Sequence, residues 1–447
     1  MSMTEITRRL ASLVVKSSFP DLPGSVRHEA KRSLFNWLGC ALGGCNNEAV
    51  DVALRVAREF TGPPQATILG RGARLDVMHA ALINGISCNV LDFNETHADM
   101  VIHPVEPVAG AILALAEYRR TSGAELLHAL VLGVELECRL FPLIVTDERF
   151  WAPSVVSSIG AAAGAGRLLG LNEQQMVWAL GIAGSQASGL GNQGGTMSKT
   201  FNPAHAARCG LFAALLAANG FTSSDVAMEG NRGFLQLYGS SLDPEQLIDE
   251  WGKAFHIEKN TYKAFPCGAV ASAAIDACLQ LRRRCKLTPD QIAAVSIKVH
   301  PSVLKLMDRR SPESGLHAKL SIHHVVACAL VFGAVKVKHF ETEILQDSRI
   351  VALRRDMQIV QDESFTRDQA YVSVTLKEGR TLAQEVRDAI GSLQRPLSDH
   401  DLETKFRDLA EDVLSTENID RIVACLWGME SLEDAGSIAG FAQGRAR

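Results

Sequence analysis

The sequence predicts a mainly α protein with a smaller α+β domain. Three observations carry that prediction. From the N-terminus to about residue 257, apolar residues recur at helical spacing between short Gly, Pro and Asn breaks. After about residue 258, two runs alternate with the period of half-buried strands. From Ser398 onward the chain returns to amphipathic helix. With 447 residues there is chain enough for roughly two or three domains. The expected partition is a large all-helical domain built from both chain ends, residues 1–257 and 394–447, and a smaller α+β domain over 258–393 with a small sheet.

Taken in order, the first strong helical pattern is AGAILALAEYRR, entered past Pro104 and Pro107, which sit where a first helical turn tolerates proline. ELLHALVLGVELECRL follows as a second buried helix. GAAAGAGRLLG is built from small side chains, which let helix backbones approach closely, so its glycines are read as packing positions rather than ligand contacts. Asn172 with Gln175 forms a capping box ahead of MVWALGIAGSQASG. GLFAALLAANG completes the helical region.

In the second part, Ala269 to Arg284 reads as helix, and Thr288-Pro289-Asp290-Gln291 as a short capped helix leading into a strand. The two best strands are Ala294–Val299 and Tyr371–Leu376. Between them lie a helix opened by Ser321 and a charged helical stretch from Asp347 to Arg355. The tail segments DLETKFRDLAEDVL and NIDRIVACLWGME are amphipathic and are expected to pack back on the large domain.

Composition narrows the class of function. A hydrophobic fraction of 47%, a charged fraction of 21% and no apolar run of about 20 residues describe a globular chain without a membrane span. The apolar run LASLVV near the start is shorter than a signal-peptide core, so a cytoplasmic address is expected. Formal charge is −5 and the basic residues are scattered, which argues against a nucleic-acid partner. The ten cysteines contain no C-x-x-C pair and sit among Ala, Leu and Val, as buried reduced thiols do. No set of thiols and imidazoles at short spacing suggests a metal, and none is expected.

The densest chemistry lies in Leu91-Asp92-Phe93-Asn94-Glu95-Thr96-His97, followed by His103-Pro104. Polar groups set between apolar helices cost desolvation energy unless they are paired or face a cavity, so this is a candidate proton-handling site as well as a plausible helix-end turn. Gly189-Leu190-Gly191-Asn192-Gln193-Gly194 matches G-x-G-x-x-G but lacks a preceding strand, which removes the dinucleotide reading. What remains is a glycine-rich loop delivering Thr196 and Lys199 to an anion. His205 and Arg208, about one turn apart, could extend a cationic patch begun by Lys199. Lys263 falls at the seam between the expected domains, where ligand clefts form, or is an ordinary surface lysine. His323 and His324, adjacent on a helix, point in different directions and do not chelate alone. Together Asp92, Thr96, His103, Lys199 and Lys263 would surround one acid with cations and hydrogen-bond donors. Such a pocket suits a small polycarboxylate from which a proton is removed α to a carboxylate.

Five ordered segments resemble the MmgE/PrpD family of 2-methylcitrate dehydratases, cis-aconitate decarboxylases and iminodisuccinate epimerases: LDFNETH with its following His-Pro, GAAAGAGRLLGL, GGTMSKTFNPAHAARCGLFAALLAANGFT, TYKAFPCGAVASAAIDACL and AKLSIHHVVACAL. The resemblance covers nearly the whole chain. It implies a large helical domain, a smaller α+β lid, a homodimer and a cofactor-independent site between domains. Asp92 and Thr96 match the family's D-F-D-D-T pattern, His103 its His-Pro histidine, Lys199 the lysine after the Gly-Thr-Met loop, and Lys263 the lysine before the aromatic-Pro pair. By that resemblance His103 and Asp92 transfer or orient protons, Lys199 and Lys263 bind carboxylate and stabilise charge, and Thr96 donates a hydrogen bond. Thr196, His205, Arg208 and His324 are expected to help bind substrate.

The departures are as informative. Asn94 stands where the family usually has a second Asp, Trp151 where many members have His, Asn202 at a further usual His, Gly268 at the His of decarboxylase-type members, and His324 where several have Tyr. The leading expectation is a lyase that dehydrates or decarboxylates a di- or tricarboxylate. An epimerase, which returns the proton to carbon and needs fewer acid–base groups, is the alternative. A family member that binds a carboxylate without turnover is the third reading.

Overall fold

The computed structural model describes residues 5–100, 102–145, 150–240 and 242–444. The chain forms two compact units: a large one from residues 1–90, 94–260 and 399–447, and a small one from 91–93 and 261–398. The first part of the small unit is thus a three-residue excursion, Leu91–Phe93, with large-unit chain on both sides.

The large unit is built of helices whose starts are written locally. The Asn47 side chain accepts from the Ala49 amide to cap Glu48–Phe60, and Asp76 accepts from Met78 and His79 to cap Val77–Asn89. Ser122 with Glu125, and Asn172 with Gln175, form reciprocal capping boxes for Gly123–Leu140 and Glu173–Ser185. The helix Val105–Arg119 starts directly after Pro104, with Pro107 in its first turn. It is buried along nearly its whole length, so its side chains show little polarity contrast around the axis.

Small residues set the helix spacing. A Cβ placed on Gly160 of Ala152–Leu168 would lie 2.8 Å from the Gly133 carbonyl oxygen, and one on Gly210 of Met197–Ala218 would lie 2.6 Å from that of Ser158. The chain's C-terminal part closes the core. Asp399–Ala410 buries Leu402, Phe406 and Leu409, and a Cβ on Gly39 of Gly24–Gly44 would meet Phe406 Cα at 3.3 Å. The large unit is not wholly helical: Ala66–Ile68 pairs antiparallel with Ala73–Leu75. Three-residue strands are too short to show a period, and the turn between them is made by Gly70 and Gly72 at φ 72° and 58°.

The small unit carries a four-stranded mixed sheet in the order Gln358–Gln361, Ile292–Val299, Ala370–Leu376, Thr381–Val386. The second strand runs parallel to the first and antiparallel to the third, with Ile297 opposite Val372 and Val295 opposite Val374. These residues bury one face into a core shared with the helices Ser272–Cys285 and Ile322–Phe332. The two inner strands are the pair expected from alternation. The outer two escape that criterion because Gln358–Gln361 is mostly exposed and Thr381–Val386 is half polar, so they are held by backbone bonds rather than by apolar burial. Among the described residues no helix is long and apolar enough to cross a membrane.

Candidate active site

In the large unit the polar segment after Phe93 folds against the start of Val105–Arg119. The backbone amide of Val105 donates to Glu95 Oε1 at 3.0 Å, so Glu95 satisfies one of the helix's first amides. His103 Nδ1 donates to the Glu95 carbonyl at 2.5 Å and lies 3.5 Å from Thr96 Oγ1. A ring that donates from Nδ1 keeps Nε2 as its basic nitrogen when neutral, which is the state a proton acceptor requires. Lys199 sits in the first turn of Met197–Ala218, just past a loop turned by Gly195 at φ 90°. Pro203 lies inside this helix, about one turn past Lys199, and supplies no amide hydrogen to the helical ladder.

With these residues in the large unit is a set of buried acids, of which only Glu95 belongs to the polar segment prominent in the sequence. Glu95, Glu106 and Glu137 are all fully buried. Glu106 Oε2 accepts from the amides of Asn89 and Asn94, both at 2.8 Å. Burial pushes the Glu106 carboxyl up to about 8, with Glu95 adding to the rise and Asn89 and Lys199 opposing it. Glu137 accepts from Ser157 Oγ at 2.7 Å and is held well above the usual carboxylate range by burial. The signal was present: Glu106 opens an otherwise apolar helix, and Glu137 lies in the apolar run LVLGVELECRL. Asn94 gains a physical reason here. An Asp in its place would put a second carboxylate against Glu106, and one of the two would have to hold a proton.

In the small unit Asp92 and Lys263 form a buried pair. Lys263 Nζ donates to the Asp92 carbonyl at 3.0 Å and lies 3.4 Å from Asp92 Oδ1. The residues are 6% and 9% exposed, which removes the reading of Lys263 as a surface lysine. Asp92 has φ 54°, a left-handed conformation that a residue with a Cβ rarely adopts and that aims its carbonyl at the ammonium. A second lysine, Lys319, is buried in the same unit, with Nζ 5.8 Å from the Phe340 ring. Burial raises the nearby Cys267 thiol to about 12, against the pull of Lys263 and Lys319, which disfavours its thiolate.

The remaining candidates are placed differently from one another. Thr196 is exposed and its hydroxyl donates to the Gln193 carbonyl at 2.8 Å. His205 and Arg208 pair with each other at 3.2 Å, and His205 stacks on Phe201. Arg208 follows Lys199 by nine residues, roughly 180° around a helix. It lines an apolar groove with Val52, Val56, Phe60 and Met197. Arg208 thus turns into that groove rather than toward Lys199, while His205 is held against Arg208 and Phe201. His324 is fully buried, its ring bonded through Nε2 to the His339 carbonyl at 2.8 Å and packed on Phe340.

The positions that depart from the resemblance are also filled. A Cβ on Gly268 would lie 2.7 Å from Met307 Sδ, so that space is taken. Trp151 precedes the helix Ala152–Leu168, and Asn202 Nδ2 reaches the Leu190 carbonyl at 3.5 Å.

Comparison with known proteins gives a consistent picture along the chain. The MmgE/PrpD N-terminal domain matches residues 8–247 and the MmgE/PrpD C-terminal domain matches 265–428. Cis-aconitate decarboxylase of Homo sapiens is 28% identical, covering 99% of this chain and 96% of the relative. The Mus musculus cis-aconitate decarboxylase is 26% identical over 99% and 94%. A 2-methylcitrate dehydratase of Cupriavidus necator is 25% identical over 76% of this chain and 74% of its own.

Proposed function

This chain belongs to the MmgE/PrpD family, and from that premise we propose that it is a cofactor-independent lyase acting on a small di- or tricarboxylate. For dehydration the reaction is abstraction of a proton α to a carboxylate with loss of the neighbouring hydroxyl, protonated, as water; for decarboxylation CO2 leaves its electron pair on carbon, and an enzyme acid delivers the proton that carbon takes up. Relatives with both outcomes, cis-aconitate decarboxylases and 2-methylcitrate dehydratases, support that class. The observation that carries the reading is the buried Asp92–Lys263 pair on a left-handed backbone, since an acid and a cation withdrawn from solvent at such cost are characteristic of functional sites. In this reading His103, with its Nδ1 proton committed to the Glu95 carbonyl, exchanges protons through Nε2. Asp92 orients or assists that transfer. Lys199 and Lys263 neutralise substrate carboxylates and the enolate-like charge that develops, and Thr96 donates a hydrogen bond. Thr196 takes a supporting role at the loop beside Lys199.

A dicarboxylate epimerase is the second reading, favoured by a specific observation. Met307 occupies the space at Gly268 where decarboxylase-type members carry a histidine, so a group for handling a departing product is missing. The enzyme is further proposed to be a cytoplasmic homodimer. Val56, Phe60 and Phe201 leave large apolar surface exposed on two helices of the large unit, as a subunit interface would require.

The purified protein is incubated in D2O with citrate, 2-methylcitrate, cis-aconitate and imino- or hydroxydicarboxylates and followed by NMR. A new alkene or released CO2 supports the lyase. Deuterium entering the α carbon without either supports the epimerase. Binding in calorimetry with neither exchange nor turnover would leave only a carboxylate-binding protein. Unchanged turnover in Lys199→Ala or His103→Ala would remove that residue from the mechanism.

A further inference from the structure

His97 began as a prominent member of the polar segment and has no part in the proposed chemistry. In the extended segment Glu95–His97, neighbouring side chains point to opposite faces, so His97 is turned away from Thr96. It meets His256, with His97 Nε2 3.2 Å from His256 Nδ1. Cys138, on the helix Gly123–Leu140, completes the group: one donor atom from each of the three residues lies within 4.8 Å of the others. All three belong to the large unit.

We propose that His97, Cys138 and His256 form a binding site for one divalent cation of the zinc class. Two imidazoles and one thiol are the donor types that such a borderline-soft ion takes, and three protein ligands leave a fourth position for water or a small ligand. The nitrogen separation fits. Two nitrogens bound to one tetrahedral zinc at about 2.0–2.1 Å each lie about 3.3 Å apart. His97 is fully buried, so its ring meets the other two donors away from bulk solvent.

Glu135 accepts from the His256 amide at 2.8 Å, fixing that ligand's backbone. Burial holds the Cys138 thiol well above its usual range, with Glu137, Glu135 and Glu95 adding to the rise, so the ion itself has to displace the thiol proton. Arg139 opposes them and is itself paired with Glu135. His256 also lines an open pocket of about 290 Å³ with Arg139, Glu250 and Lys259, so this ligand is reached from solvent. Binding replaces the thiol proton by the metal, giving a thiolate–metal bond and one proton released to solvent. Short-spacing motifs could not reveal this set, since its members lie far apart along the chain.

The test uses the full-length protein, reduced and stripped with chelator, then titrated with Zn²⁺ alone by calorimetry and with Co²⁺ alone by absorption. One ion per chain is expected, with a tetrahedral cobalt spectrum bearing a near-ultraviolet thiolate charge-transfer band. Cys138→Ser should abolish that band. His256→Gln, at a half-exposed position, should keep the metal-free melting temperature while weakening zinc by more than the roughly 10–100-fold that loss of an outer-shell group costs. It should also lose the zinc-induced rise in melting temperature, which decides the matter should the serine variant fail to fold. Absence of stoichiometric binding, a cobalt spectrum without the thiolate band, or unchanged affinity in either variant overturns the site. Binding at the half-exposed Cys285 or Cys425 would appear as that last outcome.

Discussion

Asp92 combines a strained backbone with a buried charge, and two substitutions separate the two. At φ 54°, glycine is tolerated where alanine pays about 1 kcal/mol or more. Asp92→Gly is therefore expected to melt above Asp92→Ala, while both lose turnover by roughly 100-fold or more if the carboxyl takes part in proton transfer. Retained turnover in the glycine variant would make Asp92 a turn residue only. Glu106 offers a second test through pH. Its carboxyl, raised to about 8 in the fold from 4.5, keeps a proton that the unfolded chain gives up. Its stabilising contribution is complete below pH 4.5 and is lost as pH rises through 8. His97, His128 and His256, lowered to about 4, contribute in the opposite sense, but only between about 4 and 6.5. Between pH 6.5 and 8 the buried carboxyls act alone among these groups. Glu106→Gln should reduce the fall in unfolding free energy across that window by about 2 kcal/mol, measured by urea denaturation at both ends.

At the scale of elements, close helix approach is the main constraint. Gly210 faces the Ser158 carbonyl, a backbone atom that cannot swing aside, so Gly210→Ala forces the helices Ala152–Leu168 and Met197–Ala218 apart. A loss of about 1–3 kcal/mol is expected, read as a lower melting temperature, whereas Gly220→Ala, with nothing within 4 Å, suffers only from its φ of 84°. The run GAAAGAGRLLG announced the small-residue contact but not its partners. Caps were equally legible, because Asn172 with Gln175 acts within one turn. The hairpin at Ala66–Leu75 and the outer strands of the sheet were not, since they carry too few alternating apolar residues to show a period.

For the whole molecule, the decisive feature is that the large unit takes residues from both ends of the chain. Phe406 and Phe35 lie edge to face at 5.8 Å between ring centres, and Trp427 packs on Phe35 at 4.5 Å. A chain ending at Ser398 would expose this aromatic cluster. It is expected to aggregate or to lose cooperative melting, and a soluble truncation with an unchanged thermal transition would contradict the role given to the tail. The sequence by itself determined the helical nature of the large unit, the inner strand pair, the caps and the family. Each of these depends on residues close together in the chain or on several segments kept in order. Tertiary structure alone decided that Lys263 is buried against Asp92, that Asn94 answers Glu106, that Arg208 turns away from Lys199, and that His97 meets Cys138 and His256. These pairings join residues brought together by packing. Neither the spacing of side chains nor their local periodicity encodes which buried groups will face one another.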